Sequence, residues 1–270
     1  MSGRRSQVRV PTGGTTLKAE VTGAGEPVVM VMGSGAAGRV WHLHQVPALV
    51  AAGYQVVTFD SRGLSPEDTG DFTLADMVDD TVALIEHFGF TRCRLVGFSL
   101  GAMIVQELLV ERPDLVGRAV LMATRGRTDA MRLALSRAER DLYDAKVDLP
   151  AGYRAAVQMM RYLSHRTMDD EDAARYWLEV FEIPEGTMPG LRRQLELDEL
   201  PDRLPAYRAI STPTLVMGFA DDLLCPPHMV REVADAIPGA RYLEVAGCGH
   251  LGYMEQFGQV NGHLLEFLAS

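Results

Sequence analysis

The stretch CRLVGFSLGAMIVQELLV (93–110) constrains this chain more than any other. In it a continuous apolar run stops at Gly97-Phe98-Ser99-Leu100-Gly101, and an apolar run with helical spacing begins at once. A run of the first kind reads as a strand buried on both faces, and such strands belong to mainly parallel sheets covered by helices. Small residues two positions either side of a serine permit a very tight strand-to-helix turn. That turn lifts the hydroxyl to the helix N-terminus, where the first amides have no partner within the helix. Gly-x-Ser-x-Gly alone is a weak signal, but between a strand and a helix it has the setting that a nucleophile elbow requires. The spacing therefore predicts both a sheet type and a reactive serine, Ser99, with the N–H of Leu100 as one oxyanion donor.

The rest of the chain repeats the same alternation. Apolar runs at 27–33, 54–60, 118–124, 213–219 and 240–246 read as further strands, and 74–88, 100–111, 227–237 and 256–268 carry apolar residues at helical spacing. Two earlier runs, 7–10 and 16–22, flank Thr12-Gly13-Gly14 and predict an antiparallel hairpin at the sheet edge. The expected fold is thus α/β, a mainly parallel sheet of about eight strands with helices on both faces. Between 125 and 207 no strand-like run occurs, only helical segments punctuated by Pro150, Pro184, Pro189, Pro201 and Pro205. We read 1–124 and 208–270 as the core domain, and 125–207 as a helical cap (lid) inserted after the sixth strand, over the strand ends.

Composition bounds the function. The chain has 270 residues, 47% of them hydrophobic, enough for one substantial core. A net charge of −10 argues against a nucleic-acid partner, which calls for basic stripes. The only basic cluster, Arg4, Arg5 and Arg9, reads as a frayed terminus. No window is long and apolar enough for a membrane span. Three cysteines, Cys93, Cys225 and Cys248, suit a reducing cytoplasm better than a disulfide framework. With no metal-ligand constellation and no phosphate-binding loop, no metal and no cofactor are expected.

A serine hydroxyl needs a base, and the base needs a carboxylate to fix its tautomer. Of the seven histidines, His250 alone follows the last predicted strand in a glycine-rich loop, AGCGHLGYMEQF (246–257). His42, His44, His87, His165, His228 and His263 read as surface or packing residues. The carboxylate lies in LVMGFADDLLCPP (215–227), which offers Asp221 and Asp222 just beyond another strand.

These features together resemble the α/β-hydrolase superfamily over nearly the whole chain. The likeness rests on VMGSGAAGRVW (31–41), FDSRGLS (59–65), GFSLG (97–101), the aspartate loop and GCGH (247–250). More narrowly the chain is similar to small actinobacterial esterases and thioesterases found beside natural-product biosynthesis enzymes. The resemblance implies a serine hydrolase acting on an ester or thioester through Ser99, His250 and an aspartate. The family's Asp-x-x-x-Pro arrangement selects Asp222, which precedes Pro226 by four, whereas Gly-x-x-Asp counted from Gly218 selects Asp221. The second oxyanion amide falls on Ser34, with Gly35 as the alternative, and Arg62 is expected to be structural. Gly33, Gly35, Phe98, Met159 and Trp177 are expected to line a pocket for a small, apolar acyl substrate. Cys225 and Cys248 lie on loops that must approach each other, which leaves a disulfide open. The same scaffold also hosts lyases, epoxide-opening and cyclising enzymes, and small-molecule receptors with little turnover.

Overall fold

The computed structural model describes residues 5–65, 68, 70–183 and 188–270; Arg4 and Pro184 lie outside the described residues. Eight strands are present among them: β1 (Arg5–Pro11), β2 (Thr16–Gly23), β3 (Glu26–Val31), β4 (Tyr54–Phe59), β5 (Cys93–Phe98), β6 (Val116–Met122), β7 (Thr214–Phe219) and β8 (Arg241–Val245). They form one sheet in the order β1-β2-β4-β3-β5-β6-β7-β8. The β1–β2 and β2–β4 pairs are antiparallel and every other pair is parallel. The N-terminal hairpin thus caps one edge, and its first residue is no frayed end: Arg5 opens β1 and pairs with Glu20 on β2 at 2.6 Å.

The strand interiors follow from their composition. Val28 to Val31, Leu95, Val96, Ala119 to Met122 and Val216 to Phe219 are buried, because helices cover both faces of the central strands. β8 differs: it closes the far edge, and Arg241 and Glu244 remain exposed on it. The helices that flank the sheet are α1 (Gln45–Ala51), α2 (Leu74–His87) and α3 (Leu100–Glu111), followed later in the chain by α10 (Pro227–Ala236), α11 (Gly252–Glu255) and α12 (Phe257–Ala269). α2 begins at a capping box in which Thr73 and Asp76 each satisfy the other's backbone amide.

Between β6 and β7 run six helices and, among the described residues, no strand: α4 (Ala130–Asp144), α5 (Ala151–Tyr162), α6 (His165–Asp169), α7 (Glu171–Glu182), α8 (Leu191–Leu197) and α9 (Leu204–Tyr207). Asp129 caps α4 by accepting from Arg132 N, and Asp170 caps α7 by accepting from Asp172 N and Ala173 N. The last helix is tied to the sheet layer by a buried polar network. Tyr207 Oη donates to Glu107 on α3 at 2.9 Å and accepts from Gln106 Nε2 at 2.9 Å, while Arg203 donates to both Glu107 oxygens. No described helix is long and apolar enough to cross a membrane.

Candidate active site

The elbow is built by what two glycines lack. A Cβ on Gly97 would lie 2.6 Å from Ala102 Cα, and one on Gly101 would collide with the carbonyl of Val31 on the neighbouring strand. Between them Ser99 takes φ 53° and ψ −120°, a conformation that side-chain-bearing residues rarely adopt, so the strain sits on the serine itself. β5 ends at Phe98 and α3 starts at Leu100. The Leu100 amide therefore belongs to the first turn of the helix, where N–H groups have no intrahelical acceptor.

Ser99 Oγ lies 3.2 Å from His250 Nε2, and His250 Nδ1 lies 2.8 Å from Asp222 Oδ2. The remaining oxygen, Asp222 Oδ1, accepts from Leu224 N at 2.8 Å and Cys225 N at 2.9 Å, so the carboxylate is held from both sides. With Asp222 accepting at Nδ1, the imidazole carries its proton there and presents Nε2 as the acceptor for the serine hydroxyl. Asp222 and His250 are buried, and the His250 ring packs against Phe98 at 4.9 Å and Tyr162 at 6.1 Å between centroids. Asp221 serves elsewhere. Its amide donates to Cys248 O at 3.0 Å, which ties the aspartate loop to the histidine loop, and its Oδ2 lies 3.6 Å from His165 Nδ1.

The turn after β3 abuts the serine: a Cβ on Gly33 would stand 3.1 Å from Ser99 Cβ. Of the two candidates for the second oxyanion amide, Gly35 is already engaged, donating to Gln194 Oε1 at 2.8 Å. Arg62 does what structural residues do. It grips buried Asp80 with two bonds of 2.7 and 2.8 Å, and its carbonyl accepts from Gln194 Nε2 at 2.6 Å.

Gln194 and Glu255 are the residues that sequence reasoning passed over. Gln194 is buried on α8 and joins the glycine turn to the Arg62 loop, contacts spanning 159 and 132 residues of chain. Glu255 Oε2 accepts from Gly249 N at 2.6 Å, next to the histidine. Its Oε1 accepts from Ser164 N, Ser164 Oγ and Thr167 Oγ1 at 2.5 to 2.9 Å. No local pattern announces either residue; the nearest signal is a glutamate five residues after the histidine on a short helix.

A cavity of about 590 Å³ opens onto Ser99 and His250, between the strand ends and the helices α4, α5, α7 and α8. Gly33, Gly35 and Phe98 line it as expected, whereas Met159 and Trp177 do not. On α5 the lining face is Arg154, Val157, Gln158, Arg161 and Tyr162, so Met159 turns away into the packing around it. On α7 only Phe181 reaches the wall, with Trp177 stacked behind it at 5.4 Å. The expected apolar lining is also mixed with charge, since Arg125, Arg132, Arg161 and Glu139 stand among Leu135, Val157 and Leu195.

Asp222, Cys225 and His250 each bring one potential ligating atom within 4.8 Å of the others. The aspartate and histidine are spent on each other, however, and burial pushes the Cys225 thiol up to about 12, which opposes the thiolate that a metal would need. Cys225 and Cys248 are both free thiols. The first takes a long contact from Arg125 Nη1 at 3.6 Å and the second donates to Val245 O at 3.4 Å.

A family model described as alpha/beta hydrolase fold matches residues 26–257. A Mycobacterium tuberculosis (strain H37Rv) protein bearing the name non-heme bromoperoxidase BpoC is 49% identical over 250 residues, 92% of this chain and 95% of that protein. Its crystal structure matches with a TM-score of 0.92 at 47% identity, over 94% of this chain and 96% of the other. A Variovorax paradoxus protein named carbamate hydrolase RutD is 30% identical over 91% of this chain and 92% of its own length. A thermophilic esterase from Thermogutta terrifontis matches with a TM-score of 0.83 at 25% identity, covering 98% of each chain.

Proposed function

This chain belongs to the α/β-hydrolase fold family, and on that premise we propose that it is a serine hydrolase cleaving a carboxylic ester or thioester through an acyl-enzyme. One observation carries the reading: the unbroken hydrogen-bonded line from Ser99 Oγ through His250 to Asp222 Oδ2, opening onto a cavity. In this reading Ser99 Oγ attacks the carbonyl carbon as its proton passes to His250 Nε2, and Asp222 stabilises the imidazolium. The oxyanion lies against the amides of Leu100 and Ser34. The leaving alcohol or thiol takes the proton from His250. Water, deprotonated by the same nitrogen, then attacks the acyl carbon and frees Ser99. The helices of 125–207 act as a cap over a core formed by 1–124 and 208–270. Three free, buried thiols fit a cytoplasmic enzyme. Relatives named for esterase and carbamate hydrolysis agree with acyl transfer, though not with one substrate.

The name of the mycobacterial relative favours a second reading on the same residues. Hydrogen peroxide would replace water at the acyl-enzyme and leave as a peracid, and the peracid would transfer one oxygen to bromide, giving hypobromite and the carboxylic acid. Both readings pass through an acyl-serine, whereas a lyase or a receptor need not form one. Rapid mixing with nitrophenyl esters tests them together. A burst of one nitrophenol per active site, lost in Ser99→Ala, is expected for an acyl-enzyme. Peroxide-dependent bromination in a carboxylic-acid buffer, lost in the same variant, would mark the second reading. Steady turnover surviving in Ser99→Ala would contradict both.

A further inference from the structure

The charged part of the cavity wall carries more cations than carboxylates. Arg125, nineteen-twentieths buried, donates from Nη2 to the carbonyl and carboxylate of Asp198 at 2.9 and 3.1 Å. Arg132 is held by Asp129 and by Leu223 O, and Arg161 by Glu139. Arg154 and Lys146 also line the cavity, so five cations face it against the carboxylates of Glu139, Asp148 and Asp198, in a chain whose net charge is −10. Burial also pushes the Glu139 carboxyl up, against the opposing pull of Arg161. The Arg161 guanidinium lies over the Tyr162 ring, 5.2 Å from its centroid, and that ring flanks His250. The charged patch and the scissile position therefore share one enclosure.

Guanidinium forks match carboxylates in geometry as well as charge, and a cavity wall with an excess of cations favours an anionic group. Leu135, Val157 and Leu195 supply an apolar sleeve alongside them. We propose that the substrate of this site carries a free carboxylate remote from the scissile bond, bound by the Arg125–Arg161 face of the cavity while an apolar spacer lies along the sleeve. This deepens the hydrolase reading and rests on it.

The test is a pairwise comparison of nitrophenyl monoesters of dicarboxylic acids with nitrophenyl esters of monocarboxylic acids of equal chain length. A parallel pair of acetate esters, of ω-hydroxy acids and of plain alcohols, covers a carboxylate on the alcohol side. The wild type should favour the carboxylated member of at least one pair by about tenfold or more in kcat/KM. Arg161→Gln should bring that ratio close to one, mainly through KM, with Arg161→Lys between them. Neutral esters turned over equally well or better in every pair, in a Ser99-dependent reaction, would overturn the carboxylate and leave the hydrolase standing. Turnover of no ester at all would remove the hydrolase reading and this one with it. The wild-type ratio decides the question even where a variant fails to fold.

Discussion

Two adjacent aspartates do different work in this site, and the difference can be measured. Asp222 accepts three hydrogen bonds, one of them from His250, whereas Asp221 is tied to the histidine loop through its backbone amide, which donates to Cys248 O. Asp222→Asn should lower kcat by roughly 10³- to 10⁴-fold, because an amide at that place cannot hold the imidazole in the same tautomer. Asp221→Asn should stay within about tenfold of wild type, since its amide tie survives. Steady-state kinetics on both variants checks this; the reverse ranking would reassign the acid. The sequence left both aspartates open, and the spacing to Pro226 pointed to the one that meets the histidine. Of Ser34 and Gly35, the two amides the sequence left open beside the serine, Gly35 spends its N–H on Gln194, a contact no spacing rule contains.

At the scale of elements, the strands and flanking helices were readable because burial on both faces leaves continuous apolar runs, and one-sided burial leaves a stripe. The face that α5 turns to the cavity was not readable. Met159 and Arg161 are two residues apart, on different sides of the helix, and composition favours methionine for a greasy wall while the geometry presents arginine. Gln194 on α8 was equally hidden, because a glutamine in an amphipathic helix looks like surface until its partners arrive from far along the chain. It binds α8 to the glycine turn, so Gln194→Leu should release that turn while keeping the side chain's bulk. We expect kcat to fall about 10- to 100-fold through misplacement of the turn beside Ser99, with KM less affected. An unchanged kcat would show that the turn holds its position without α8.

Across the whole molecule, one sheet carries Ser99, Asp222 and His250 just past the ends of β5, β7 and β8, and the fold buries every thiol. Burial pushes Cys93, Cys225 and Cys248 each up to about 12, so neither access nor thiolate is available in the folded state. Iodoacetamide at mildly alkaline pH should label none of the three in the native protein and all three after unfolding, without reductant. Two labels fewer in the unfolded, unreduced protein would reveal a disulfide that the free thiols here contradict. The acidic net charge likewise hides the local excess of cations in the cavity, which only the fold assembles.

Intact-mass analysis after treatment with a fluorophosphonate tests most directly whether Ser99 is an activated nucleophile. A single phosphonyl adduct on the wild type, absent from a folded Ser99→Ala variant and sharply slowed in Asp222→Asn, is the predicted result. A well-folded wild type that takes up no adduct, or one that keeps its adduct when Ser99 is removed, would contradict the account.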